Sequence, residues 1–275
     1  MEKIDMHVHT TASDGVFTPK EIIEWALRLN LAGIAITDHD TVEGIKEAFE
    51  FLKDNTDFLL IPGIEFSCLY KDSEVHILGY FIDYENEELN RICRKIKDAR
   101  KNRATKIIEK LRTEGIDITE DDISKMGHVE SIGRPHIARI MVKKGYVKDI
   151  EEAFHKWIGR NKVAYVERYK ISIKEAVGYI KGAGGIAVLA HPGLLKEHID
   201  LLDILNLDID GVEVYHTKHT EEKCEQLLKI AKENEKFITG GTDFHEPAYN
   251  CKPHLGEIHI KKEEIEKMLR KTLEK

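Results

Sequence analysis

The amino-acid sequence predicts an α/β fold assembled from repeated strand–helix units, with one inserted helical subdomain. Three observations predict it. Short runs rich in Ile, Val and Leu recur between longer amphipathic stretches. Two helices announce their N-termini with capping boxes. From 88 to 168 the strand rhythm lapses and helical periodicity takes over. A chain of 275 residues accommodates one large domain or a core with one sizeable insertion. The expected division is a core of 1–87 and 169–275 and an inserted subdomain of 88–168.

Strands are expected at 3–8, 33–37, 58–65, 74–82, 185–190, 210–215 and 236–240, with a further candidate at 256–260. Thr18-Pro19-Lys20-Glu21 places a capping hydroxyl before a proline and a glutamate three residues on, and Ser172-Ile173-Lys174-Glu175 repeats the box. Helices therefore begin near 19 and 173. Ile22, Ile23, Ala26, Leu27 and Leu29 supply the inward stripe of the first, and Gly33 ends it before Ile34-Ala35-Ile36-Thr37, which makes a strand–helix–strand crossover. In the insertion, Leu89, Ile92, Cys93, Ile96, Ala99, Ile107, Ile108 and Leu111 keep helical spacing. The same stretch is strongly basic from Arg91 to Arg112, as a solvated helix face or as a contact surface for anions. Gly182, Gly184 and Gly185 precede a strand rather than follow one, so they are turn glycines and not a phosphate loop.

Composition removes whole classes of function. With 41% apolar and 33% charged residues and only 19 Gly and 6 Pro, the chain is neither disordered, collagenous nor of low complexity. A net charge of −8 excludes a globally basic nucleic-acid binder, though not a local basic groove. The N-terminal stretch lacks a basic region followed by an apolar run, and no window approaches the ~18 apolar residues of a membrane span. Cys68, Cys93, Cys224 and Cys251 form no CxxC pair, which fits reduced thiols. The expected location is the cytoplasm, with no membrane association and no obligate protein partner.

The unusual residues fall at strand ends. His7 and His9 close the first strand, Asp38 and His39 follow the second, Glu65 ends the third and His76 lies in the fourth. His191 ends the fifth, and Asp243 with His245 ends the seventh. In parallel α/β barrels that end is where sites assemble. A lone histidine there is an ordinary structural residue, but six or more delivered to one rim form a site. Residues i and i+2 of an extended segment share a face, so His7/His9 and Asp243/His245 each act as a pair. Imidazole and carboxylate without thiolate suit Mn²⁺, Fe²⁺ or Zn²⁺. The candidates His7, His9, Asp14, His39, Glu65, His76, His191, Asp243 and His245 outnumber the needs of one ion, so two or three clustered divalent ions are expected. Such a cluster holds a hydroxide at neutral pH and neutralises a phosphoryl oxygen, the chemistry of phosphate ester hydrolysis. Asp38, adjacent to His39, is expected either to orient an imidazole or to cap a helix.

Met6-His7-Val8-His9-Thr10 with Ser13-Asp14-Gly15, Ile36-Thr37-Asp38-His39-Asp40, Pro62-Gly63-Ile64-Glu65, Val75-His76-Ile77-Leu78-Gly79, Ala190-His191-Pro192-Gly193 and Gly241-Thr242-Asp243-Phe244-His245 resemble the successive motifs of the PHP (polymerase and histidinol phosphatase) domain. The resemblance implies a distorted (β/α)7 barrel with a trinuclear Mn, Fe or Zn centre held by the nine candidates, of which His7, His9, His191, Asp243 and His245 form the catalytic core. Gly133-Arg134-Pro135-His136-Ile137-Ala138 in the insertion is similar to the branch of nucleoside 3′,5′-bisphosphate phosphatases and 5′→3′ exonucleases on short oligonucleotides. Arg134 would offer a planar fork to phosphate with His136 donating alongside; on residues alone, Arg134 pairing with a surface carboxylate is an equal reading. His216 and His219 are candidates for a second phosphate contact or for protonating the leaving oxygen, or are surface histidines. His128, His155, His198, His254 and His259 lie outside the pattern. Competing readings are a small-metabolite phosphatase such as histidinol phosphatase, a nucleic-acid-binding module with a vestigial site, and a metal-dependent amidohydrolase, for which no lysine pattern is present.

Overall fold

Strands form where β-branched and aliphatic residues cluster between turn residues, and helices where an apolar stripe follows a cap. A computed structural model of the chain describes residues 3–53, 57–124, 133–246 and 255–273; Cys251, His128 and His254 lie outside the described residues. The strands are β1 (Lys3–Val8), β2 (Gly33–Ile36), β3 (Leu59–Tyr70), β4 (Ser73–Tyr80), β5 (Ile171–Ser172), β6 (Ile186–Leu189), β7 (Gly211–His216), β8 (Phe237–Gly241) and β9 (Ile260–Lys261). The α-helices are α1 (Pro19–Arg28), α2 (Glu43–Phe51), α3 (Glu87–Thr113), α4 (Glu120–Ser124), α5 (Arg134–Lys143), α6 (Ile150–Ala153), α7 (Ile173–Gly182), α8 (Leu201–Leu205), α9 (Glu221–Glu233) and α10 (Lys262–Leu273). Met1–Cys93 with Lys170–Lys275 make one compact unit and Arg94–Tyr169 a second. The division falls inside α3 rather than at its start, because 27 continuous helical residues extend about 40 Å.

In the first unit the strands form a nearly closed barrel in the order β8-β7-β6-β4-β3-β2-β1-β9. Closure comes where the segment after β8 meets the end of β1. His9 N–H donates to the Phe244 carbonyl at 2.9 Å, and Phe244 N–H donates to that of His7 at 3.3 Å. Both expected capping boxes are present: the Glu21 amide donates to Thr18 Oγ1 at 3.2 Å, and the Glu175 amide to Ser172 Oγ at 3.3 Å. Most strand positions agree with the sequence to within two residues.

Two features depart from the expected parallel rhythm. β3 runs on to Tyr70 and turns directly into β4 through Lys71 and Asp72, both at positive φ (43° and 60°). That is the backbone of a two-residue hairpin, so β4 is antiparallel to both β3 and β6. The candidate at 256–260 contributes only Ile260–Lys261, which pair antiparallel with β1. Among the described residues no helix is long and apolar enough to cross a membrane.

The second unit has its own core, in which Ile107, Ile108 and Leu111 pack with Ile137, Met141 and Ile158. Pro135 sits in the first turn of α5, as its fixed φ favours. The Gly133 amide donates to His136 Nδ1 at 3.0 Å and closes that helix end.

The closure of the barrel explains one residue choice. A Cβ on Gly241 would lie 2.4 Å from the His7 nitrogen and 2.5 Å from the His7 Cβ. Gly241→Ala is expected to lower the urea unfolding midpoint by the equivalent of about 1–3 kcal/mol. An unchanged midpoint would show that the two strands part without strain.

Candidate metal centre

Each site residue arrives by a local rule. β1 sends Asp5, His7 and His9 to one side and Ile4, Met6 and Val8 to the other, and its register against β2 shifts between Asp5 and Val8, as a bulge beside a site does. Glu65 lies opposite Leu78 in the β3–β4 ladder, so His76, two residues before Leu78, is its diagonal neighbour on the same face. Alternation along β6 would turn His191 away, since Leu189 pairs with Ile77 rather than with a residue of the His76 face. The chain instead leaves the strand with His191 at a φ of 28°, which brings its ring back to Glu65. Asp243 likewise has a φ of 53°. Such left-handed backbone at non-glycine residues costs energy and concentrates at functional sites.

Glu65 is fully buried and central. His39 Nδ1 lies 2.9 Å from its Oε2, His7 Nε2 and His9 Nε2 each 3.4 Å from the same oxygen, and His76 Nδ1 and His191 Nε2 each 3.0 Å from Oε1. Asp243 Oδ1 lies 3.2 Å from His9 Nε2 and 3.5 Å from His7 Nε2, and Asp14 lies 3.3 Å from His245 Nε2. Three groups of donor atoms, each within 4.8 Å of one another, result: His9/Asp14/His39/His245, His7/His9/Glu65/Asp243 and His39/Glu65/His76. Eight of the nine expected ligands fall into these groups, and the ninth, His191, touches Glu65.

The donors fit divalent ions. His7 Nε2, both nitrogens of His9, His39 Nδ1 and Glu65 Oε2 are buried without a properly formed hydrogen bond among the described residues, a costly state for polar atoms unless a cation completes them. Nitrogen and oxygen donors without sulfur match Mn, Fe or Zn. Electrostatics agree. Burial works to raise the Glu65 carboxyl, but the facing His39, His76 and His7 hold it well below its ordinary range. Burial works to lower His76 and His245, yet Glu65 lifts His76 to about 10 and Asp14 lifts His245 to about 9. Burial, with His245 nearby, drives His9 down to about 3.

Several residues differ from their expected roles. Among the described residues Asp38 orients no imidazole; it accepts from Thr10 N–H (2.7 Å), Thr10 Oγ1 (2.7 Å) and Ser13 Oγ (2.6 Å), so it orders the loop that carries Asp14. His219 is not an available phosphate donor: its Nε2 accepts from the Gly193 amide (3.0 Å) and its Nδ1 donates to the Val214 carbonyl (2.8 Å). It holds the turn that follows His191. His216 is buried rather than at the surface, with Nδ1 accepting from Lys218 N–H (3.1 Å) and Nε2 3.5 Å from Asp243 Oδ2. An Nδ1 that accepts leaves the proton on Nε2, so His216 turns an N–H rather than a lone pair to the cluster, near Asp243 but without a formed hydrogen bond among the described residues.

In the second unit, the Arg134 guanidinium lies 5.2 Å from the Phe154 ring and 5.7 Å from that of Tyr165, and donates to the Ile158 carbonyl at 3.3 Å. Arg103 donates to the Val166 carbonyl at 2.8 Å, and burial, with Arg134 and Arg168 nearby, lowers its pKa to about 10.

Two carboxylates escaped the sequence reading. Glu213 Oε1 accepts from His7 Nδ1 at 2.9 Å and its Oε2 from the His191 amide at 2.7 Å, which aims His7 Nε2 at the donor cluster. Asp5 accepts from the amides of His7, Thr242 and Gly256 and from Thr242 Oγ1, tying β1 to the loop after β8; burial nonetheless pushes it up to about 6. The available signal was a carboxylate at an apolar strand position, Glu213 between Val212 and Val214 and Asp5 between Ile4 and Met6.

Comparison with known proteins agrees with this geometry. The family model described as PHP domain matches residues 5–238. The chain is 31% identical to the 5′-3′ exoribonuclease Rnm of Escherichia coli, over 88% of this chain and 85% of that protein. It is 34% identical to a 3′,5′-nucleoside bisphosphate phosphatase of Chromobacterium violaceum, over 90% and 88% of the two. A crystal structure of a Bifidobacterium adolescentis protein, provisionally described as a metal-dependent phosphoesterase, superposes with a TM-score of 0.81 at 33% identity, covering 97% of this chain and 95% of that one.

Protonated His76 and His245 must give up protons to bind an ion. Metal loading near pH 7.5 is therefore expected to release protons, and affinity to rise with pH up to about 10. Calorimetry in buffers of differing ionisation enthalpy measures the release, and a value of zero would contradict the charge states assigned to these histidines.

Proposed function

The chain belongs to the PHP domain family and is a metal-dependent phosphoesterase, and on that premise we propose that its substrates are nucleoside 3′,5′-bisphosphates, from which it releases the 3′-phosphate, and short 5′-phosphorylated oligonucleotides. The observation that carries the reading is the clustering of three nitrogen and oxygen donor groups that overlap through His9, His39 and Glu65, in a chain whose relatives include a 5′-3′ exoribonuclease and a 3′,5′-nucleoside bisphosphate phosphatase. Complete ligands argue against a vestigial binding module.

His7, His9, Asp14, His39, Glu65, His76, His191, Asp243 and His245 would hold two or three Mn, Fe or Zn ions. Bound there, the ions supply Lewis-acid neutralisation of the phosphoryl oxygens and activation of water. The chain's own residues set the geometry. Glu213 fixes the His7 ring, His216 Nε2 stands 3.5 Å from Asp243, and Asp38 holds the loop of Asp14. Arg134 and His136, from the inserted unit, are assigned to phosphate. The guanidinium faces two aromatic rings, and no ion pair to it is found among the described residues, which supports the phosphate role over pairing with a surface carboxylate. The charge repulsion that Arg103 feels from Arg134 and Arg168 marks a locally electropositive place. Cys68 and Cys224 form no disulfide among the described residues, which suits action in the cytoplasm.

Mn²⁺-loaded protein is expected to release phosphate from adenosine 3′,5′-bisphosphate, or mononucleotide from a 5′-phosphorylated RNA pentamer, with EDTA abolishing both. His9→Ala and Asp243→Ala should lose metal and about 100-fold or more of the activity. Arg134→Ala should raise KM about tenfold with kcat little changed. Turnover of histidinol phosphate alone would move the protein to a small-metabolite role, and silence on all three substrates would overturn the proposal.

A further inference from the structure

A cavity of about 510 Å³ adjoins the metal centre within the first unit. It shares Asp243 and His245 with the donor groups, and its other walls include Thr217, Lys218, Glu246 and Glu257. Its size is that of a small-molecule pocket. The two loops that bound it are tied together, since Thr217 Oγ1 donates to the Thr242 carbonyl at 3.3 Å. Lys218 is fixed at its backbone by the hydrogen bond to His216, the residue that faces Asp243. Lys218 is exposed, its ammonium group has no ion-pair partner among the described residues, and no other lysine or arginine is found among the described lining residues. Glu246 is also exposed and likewise without an ion-pair partner among the described residues.

We propose that this cavity receives the leaving group of the phosphoester, with Lys218 pairing with a second phosphate carried by a nucleoside-sized ligand. The inference rests on the substrate reading above and deepens it. A group joined to a phosphoryl on the Asp243/His245 side must leave through space that those residues border, and this cavity is that space. One ammonium in a lining that also carries the carboxylates of Glu246 and Glu257 suits a ligand with a single anionic group and several hydrogen-bond donors, as a nucleoside monophosphate has. Glu246 opposes a longer run of phosphodiesters. The cavity therefore selects compact bisphosphates over extended chains.

The test compares adenosine 3′,5′-bisphosphate with adenosine 3′-monophosphate, which carries the same scissile phosphate and lacks the second one. Wild-type Mn²⁺-loaded protein should prefer the bisphosphate in kcat/KM. Lys218→Ala should cut that preference about tenfold, through KM for the bisphosphate, and Lys218→Arg should restore most of it. Metal content of each variant, measured by plasma mass spectrometry, should equal that of wild type. A preference unchanged in Lys218→Ala, or one that Lys218→Arg fails to recover, would overturn the assignment while leaving the phosphoesterase reading intact. A wild-type protein inactive on both nucleotides would overturn the substrate reading and this inference with it.

Discussion

Everything in the centre depends on a carboxylate that the fold has removed from water. Glu65 is buried, and five imidazole nitrogens stand within 3.4 Å of its two oxygens. An isolated charge in such a place costs several kcal/mol, so the surrounding structure must return opposite charge to it. Without a bound ion that charge is carried by protonated histidines, which is why His76 is lifted to about 10 despite its burial. A divalent ion held by these residues would supply the same positive charge, each imidazole offering it a lone pair. Binding an ion and relieving this crowding are one event.

The barrel is built to hold that arrangement under strain. β1 delivers two candidate ligands from one face, the hairpin sets His76 diagonal to Glu65, and left-handed turns at His191 and Asp243 redirect two side chains that regular strands would misplace. Buried carboxylates outside the proposed ligand set keep these turns in place. Asp5 ties β1 to the loop of Asp243, Glu213 grips both His7 and the His191 amide, and Asp38 orders the loop of Asp14. His219 clamps the Gly193 amide from the far side of the same turn. Gly241 has no side chain because the His7 backbone occupies that space.

The nine candidate ligands stood out because histidines and carboxylates at successive strand ends form a pattern that core packing alone rarely produces, and the two capping boxes fixed helix starts almost to the residue. What escaped the sequence was of another kind. The reversal of β4 turned on two residues, Lys71 and Asp72, neither of which is the glycine or asparagine that usually marks a tight hairpin. Glu213 and Asp5 were hidden among apolar neighbours, where a strand reads simply as buried. His219 and His216 looked like rim residues because chain proximity to a strand end says nothing of which nitrogen faces which partner. Asp38 was placed near an imidazole by sequence adjacency, whereas its hydrogen bonds run to a loop more than twenty residues earlier.

The central claim is that one buried carboxylate organises more than one ion. It is tested most directly by counting metal ions per chain, with plasma mass spectrometry after Mn²⁺ loading and desalting, in wild type and in Glu65→Gln. Circular dichroism confirms that the variant remains folded. More than one tightly held ion is expected in wild type, and weakened binding at two or more positions is expected in the variant, since Glu65 belongs to two of the three donor groups. A folded Glu65→Gln protein that retained the full wild-type complement would contradict the claim.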